Sequence, residues 1–165
     1  MTEKNQYQRV VRKHTIQINA STEKVFPLLC PVRESEWLPG FHSKTVYSDS
    51  GISELDAVFL THEDTSNEAV WTIPVYEKDN FIELVYYQAK LKVVVIKLQL
   101  NKDNDTKTSL QVEYTYTALS EEGNKQVISI TEESFKKQIS IWEICFNYLF
   151  KTGTKISEEL LLKHH

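Results

Sequence analysis

Apolar and polar residues alternate along most of the chain from Tyr7 to Ala118, and then the period changes. From Ile128 to Lys151 the apolar positions recur every three or four residues, which predicts one long amphipathic helix. Phe135, Ile139, Trp142, Phe146 and Leu149 form its stripe, widened by Ile141, Cys145 and Tyr148. Lys136, Ser140, Glu143, Asn147 and Lys151 make the opposite face, expected to be solvated. Glu132 and Lys136, like Glu133 and Lys137, stand four apart with the acid first, the better order for surface pairing. Ser120 to Asn124 reads as a break ahead of the helix.

The alternating part divides into seven runs: Tyr7 to Ile18, Lys44 to Ser48, Leu55 to His62, Glu68 to Tyr76, Phe81 to Gln88, Leu91 to Leu100 and Thr108 to Ala118. Each is bounded by turn residues and predicts a strand. Between the first two lie two short helical stretches. Val25 to Leu29 follows the cap candidate Ser21, is interrupted by Pro27 and is ended by Pro31; Glu34 to Leu38 stops at Pro39-Gly40.

Side chains alternate across a strand, so parity predicts facing. A four-residue turn at Glu77 to Asn80 would set Val75 opposite Ile82, Ile73 opposite Leu84 and Trp71 opposite Tyr86. Leu110, Val112, Tyr114 and Tyr116 share one face of the last strand. Val94, Ile96, Leu98 and Leu100 are the cleaner apolar set of the sixth, which requires an odd-length turn or bulge near Gln88 to Lys90. That register leaves Val93 and Val95 on the outer face. The third strand is ambiguous: an even turn turns Val58 and Leu60 inward, an odd one Phe59.

These elements predict an α+β fold: a curved seven-stranded antiparallel sheet wrapped around a long C-terminal helix, with two short helices between strands one and two. No repeat or linker divides residues 1–165, so a single domain is expected. A bent sheet and one helix need not fill the space between them, and aromatics can line the gap.

This order of elements resembles the helix-grip fold of the SRPBCC superfamily, which includes START-related lipid-transfer domains, birch-pollen-allergen-like proteins and polyketide cyclase-like proteins. The resemblance rests on INASTEKVFPLL (Ile18 to Leu29), EWLPGF (Glu36 to Phe41), DAVFLT (Asp56 to Thr61) and VWTIPVYEKDNFIELVY (Val70 to Tyr86). It implies binding or transfer of a hydrophobic small molecule or lipid. Some relatives are cyclases or dehydratases, and others activate a chaperone. The expected ligand-facing set is Trp37, Leu60, Trp71, Ile73, Leu84, Tyr86, Ile96, Tyr114, Tyr116, Trp142 and Phe146. Packed core is the alternative for each aromatic, and Trp37 reads equally as a lid or a packed cap.

Charge narrows the partners. A formal net charge of -4 leaves no basic footprint for a nucleic acid; the densest cluster, Arg9, Arg12 and Lys13, is small. No apolar run approaches membrane-spanning length, so integral membrane association is not expected. The opening residues MTEKNQYQRVVRKH lack an apolar signal core, and Cys30 and Cys145 read as buried thiols; a cytoplasmic location is expected. His164 and His165 resemble the remnant of a purification tag and are set aside.

His14, His42 and His62 have no partner at metal-ligand spacing, the four glycines form no phosphate loop, and no nucleophile signature appears; neither metal nor cofactor is expected. His62 is in phase with Leu60 and could reach a cavity, or stand as an exposed strand-end residue. Three functional readings stay open. One is a non-enzymatic carrier of a hydrophobic ligand. Another is a cyclase- or dehydratase-like enzyme using pocket Tyr or His and no assigned catalytic residue. The third is an interaction module, cued by Val93 and Val95. Association as a homodimer is left open.

Overall fold

The computed structural model describes residues 5–164. Residues 1–4, which open the segment read for a signal core, and His165 lie outside them. Seven strands form one antiparallel sheet: β1 Arg9–Ile18, β2 Ser43–Tyr47, β3 Val58–Thr61, β4 Ala69–Glu77, β5 Phe81–Gln88, β6 Lys92–Asn104 and β7 Lys107–Ala118. Their spatial order is β1-β7-β6-β5-β4-β3-β2, so β1 and β2 are the edges. The helices are α1 Thr22–Val25, α2 Glu121–Ser129, α3 Glu132–Thr152 and α4 Glu158–Leu162. Two 3-10 turns, Phe26–Leu28 and Glu34–Glu36, complete the segment between β1 and β2. The architecture is the α+β helix grip expected from the pattern. No described helix is long and apolar enough to cross a membrane.

The inner rows follow parity in β6 and β7. Val94, Ile96, Leu98 and Leu100 are buried, as are Leu110, Val112, Tyr114 and Tyr116. The odd turn that this requires is present: Gln88 pairs with Lys92 across Ala89, Lys90 and Leu91, with Lys90 left-handed at φ 62°. Val93 and Val95 accordingly lie outward, facing Thr117 and Thr115 of β7.

Three expectations need correction. Trp71 does pair with Tyr86, but the register shifts between Thr72 and Val75, so Tyr76, not Val75, faces Ile82. Pro74 sits in that irregularity; it has no N–H to give to a ladder and is tolerated at a bulge. In β3 the inward residues are Phe59 and Thr61, both buried, which turns Leu60 outward. The third concerns the helix. The chain breaks at Ile130 into two helices, and Ser120 to Asn124 belongs to the first of them. Ser120 caps α2 by accepting from the Gly123 N–H, and Thr131 with Ser134 forms a capping box on α3. Gly123 allows α2 to lie against the β5–β6 turn: a Cβ there would fall 1.9 Å from the Leu91 carbonyl oxygen.

Phe135, Ile139, Trp142, Cys145 and Phe146 are the buried positions of α3, as the stripe predicts. Its polar face is not simply solvated. The Gln17 N–H donates to Glu143 Oε2 (2.7 Å), the Asn19 N–H donates to Asn147 Oδ1 (2.7 Å), and Asn147 Nδ2 donates to the Gln17 carbonyl (2.9 Å). Arg12 Nε adds a bond to the Ile130 carbonyl. The helix thus satisfies the open edge of β1 with side chains, one way a sheet edge is protected. Neither Glu132–Lys136 nor Glu133–Lys137 is among the ion pairs of the described residues. Replacing Asn147 with Ala should remove two of the β1 bonds. The expected cost is about 1–2 kcal/mol in urea unfolding, with faster hydrogen exchange at the Asn19 amide.

Candidate functional site

A cavity of about 210 Å³ lies between the sheet and α3. An engineered cavity of about 150 Å³ already admits benzene, so this space suits a small aromatic molecule. Strands β4 to β7 contribute Trp71, Leu84, Tyr86, Ile96, Leu98 and Tyr114; α3 contributes Trp142 and Gln138. Glu34, Leu38 and Phe41 close it from the segment between α1 and β2, and Thr61, His62, Ala69 and Gln88 from the β3–β4 end. It reaches solvent beside His62 and Gln138, both exposed.

Of the expected set, Trp71, Leu84, Tyr86, Ile96, Tyr114 and Trp142 meet at this cavity. The other five lie elsewhere. Leu60 is on the outer face, in a shallow groove with His42, Lys44 and Glu63. Ile73 is fully buried core at the β4 irregularity. Tyr116 packs beside Tyr114, with ring centroids 5.6 Å apart. Trp37 is wholly buried and stacks on Phe146 at 4.0 Å, edge-on to Trp142 at 5.6 Å, which makes both a floor beneath the cavity wall. Trp37 Nε1 donates to the Leu28 carbonyl (2.8 Å). Trp37 is therefore a packed cap rather than a lid.

The aromatic walls are held by neighbours rather than by filling the space. The Trp71 and Tyr86 rings lie 4.5 Å apart across β4 and β5, tilted by 34°, and Trp71 Nε1 donates to Thr61 Oγ1 (2.9 Å). Tyr114 stands edge-on to Phe135 at 5.3 Å and to Trp142 at 6.5 Å. Burial keeps the Tyr86 and Tyr114 phenols neutral far above the ordinary tyrosine range.

Sequence reasoning missed the acidic group. Glu34 lines the cavity from the 3-10 turn, and no described side chain pairs with it. Burial alone pushes its carboxyl up to about 8. Its neighbours on the turn, Arg33 and Glu36, pair with each other instead at 2.9 Å. The Trp37 and Leu38 amides both bond the Glu34 carbonyl, so the buried Trp37 fixes where Glu34 stands. Among the described lining residues there is no Lys or Arg. Gln88 Oε1 is buried without a partner, its Nε2 held by the Asn67 carbonyl (2.9 Å). His62 lies at the rim with a left-handed backbone, φ 52°. No group of three or more His, Cys, Asp or Glu residues gathers among the described residues, and Cys30 and Cys145 are both free and buried.

No protein-family profile matches the chain, and no curated protein is similar to it in sequence. Solved structures are similar in shape. A truncated norcoclaurine synthase from Thalictrum flavum superposes with a TM-score of 0.65 at 11% identity, covering 91% of this chain and 98% of that one. The same enzyme in complex with dopamine and hydroxybenzaldehyde gives 0.61 at 10% identity, with 90% of each chain covered. CalU16 from Micromonospora echinospora gives 0.54 at 15% identity over 96% of this chain and 91% of that one. DynU16, from the dynemicin biosynthetic locus, gives 0.60 at 12% identity over 87% of this chain, which spans about half of DynU16's length (48%). At these identities the likeness concerns the fold alone, and that fold is the helix grip.

Proposed function

We propose that this protein binds a small, largely apolar aromatic molecule between its sheet and α3. The observation that carries this reading is the cavity of about 210 Å³ walled by Trp71, Tyr86, Tyr114 and Trp142. Pockets for drug-sized ligands span roughly 300–1,000 Å³, so a compact occupant is favoured over a long-chain lipid. That norcoclaurine synthase holds two small aromatics on a similar fold supports this choice of ligand class. A cytoplasmic carrier or sensor fits the reading.

The test is to fill the space. Leu84 lines the cavity and is 2% exposed. Leu84→Phe should occupy part of the void, keep stability within about 1–2 kcal/mol of the wild type, and abolish binding of small aromatics. Intrinsic tryptophan fluorescence, titrated with toluene and naphthalene, reads both proteins. Equal saturation in the two would place the binding elsewhere and end the proposal.

A second reading has one observation in its favour. Glu34 and Tyr114 line one cavity, and the carboxyl is placed to hold a proton near neutral pH. That supports acid–base chemistry on a bound carbonyl or phenol, in the manner of a cyclase or dehydratase. Glu34 would be its proton carrier. Turnover of a polyketide-like substrate that disappears in Glu34→Gln, with binding retained, tests it.

A further inference from the structure

Four aromatic side chains and one acidic one line the cavity, and no Lys or Arg is among its described lining residues. Trp71, Tyr86, Tyr114 and Trp142 line it, and the faces of such rings attract a positive charge. Glu34 is half-buried, and no described side chain pairs with its carboxyl, although carboxylates drawn out of water are ordinarily paired or hydrogen-bonded. A second acceptor at this cavity, Gln88 Oε1, is buried and has no partner among the described residues; its amide cannot be reversed without setting oxygen against the Asn67 carbonyl. Two acceptors of the site thus lack a donor from the described residues.

Resting on the binding function proposed above, we infer that the ligand is a small aromatic carrying a protonated amine, with the ammonium seated at Glu34. An anionic amphiphile would meet an acid and no countercharge. A neutral hydrocarbon would leave both acceptors unpartnered. An ammonium supplies donors to the carboxylate and sits against the rings.

Binding then has a proton signature. The free cavity holds Glu34 protonated at neutral pH, because burial disfavours its charge. Seating an ammonium stabilises the carboxylate, so the proton leaves the Glu34 Oε–H bond for the buffer. The other titratable groups around Glu34 are few. Tyr86, Tyr114 and His62 share the cavity, and Arg33 and Glu36 form their own pair on the same turn. Lys155 is engaged by the Ser35 carbonyl, and Glu158 lies against Gly40.

Calorimetric titration with toluene, benzylamine and benzoate separates the possibilities, with the amine measured at pH 7 in two buffers of different ionisation enthalpy. Benzylamine should bind about tenfold or more tightly than toluene, benzoate should not bind detectably, and nearly one proton should be released per benzylamine. In Glu34→Gln the benzylamine preference and the proton release should vanish while toluene binding persists. Equal affinity for toluene and benzylamine, binding of benzoate, or proton release retained in the variant would overturn the inference and leave the binding function standing. Failure of all three probes to bind would remove the binding function itself.

Discussion

Trp37→Ala is expected to be the most damaging substitution in the protein, lowering unfolding free energy by about 3–5 kcal/mol. The side chain is fully buried, stacked on Phe146, edge-on to Trp142, and bonded through Nε1 to the Leu28 carbonyl. Its removal leaves a void beneath the cavity wall and a carbonyl without its donor. The effect should reach the site as well, since the 3-10 turn that positions Glu34 is fastened to the core at this residue. Urea unfolding followed by far-UV circular dichroism measures the loss. Trp37→Phe keeps a ring but no N–H, and should cost roughly half as much. A loss below about 1 kcal/mol for the alanine variant would mean that the stack does not hold the segment.

The second large effect is a dependence of stability on pH that Glu34 creates. Its carboxyl is raised from 4.5 to about 8 by burial. Between those values the native protein keeps a proton that the unfolded chain has released. The folded state binds more protons, so unfolding free energy falls as pH rises from about 4.5 to about 8, and the loss is complete above that. The limit is about 1.4 kcal/mol for each pH unit. Because Glu34 is half-buried and the cavity reaches water, a total of roughly 2–4 kcal/mol is expected. Glu34→Gln imitates the protonated form. Relative to the wild type it should gain stability steadily from pH 5 to pH 8.5 and be the more stable protein at the alkaline end. Thermal unfolding of the pair across that range cancels groups common to both. Parallel curves would show that Glu34 titrates as an ordinary surface acid.

Much of the frame is written in simple alternation. β6 and β7 are long, uninterrupted and buried on one face, so parity alone places Val94 through Leu100 and Leu110 through Tyr116, and forces the odd turn after Gln88. The α3 stripe is equally plain, because four turns of one period average out local noise. What escaped depends on single residues. Pro74 shifts the register of half a strand, and its missing N–H was the available cue. The facing of β3 hangs on the parity of an exposed loop, which no pattern states, so Leu60 and Phe59 exchange places. The break at Ile130 comes from Thr131 and Ser134 capping each other, weak polar signals inside an apolar rhythm.

The site was half legible for the same reason. Residues that share a strand face, such as Leu84 with Tyr86, travel together into the cavity. Residues from irregular segments do not, and Glu34 sits on a three-residue turn with no period to betray it. A carboxyl between a serine and a paired arginine reads as surface. Only the stacking of Trp37 on Phe146 beneath that turn, a contact between distant parts of the chain, brings it to the cavity.

Because Glu143, Asn147 and Arg12 tie α3 and its leading end to the first strand, the rod in this clasp cannot slide or roll without breaking several bonds at once. The clasp has one fixed jaw. Residues 62–67, all exposed, lie outside that set of bonds at the His62 rim of the cavity, so give at the mouth is expected in this loop before it is expected in α3.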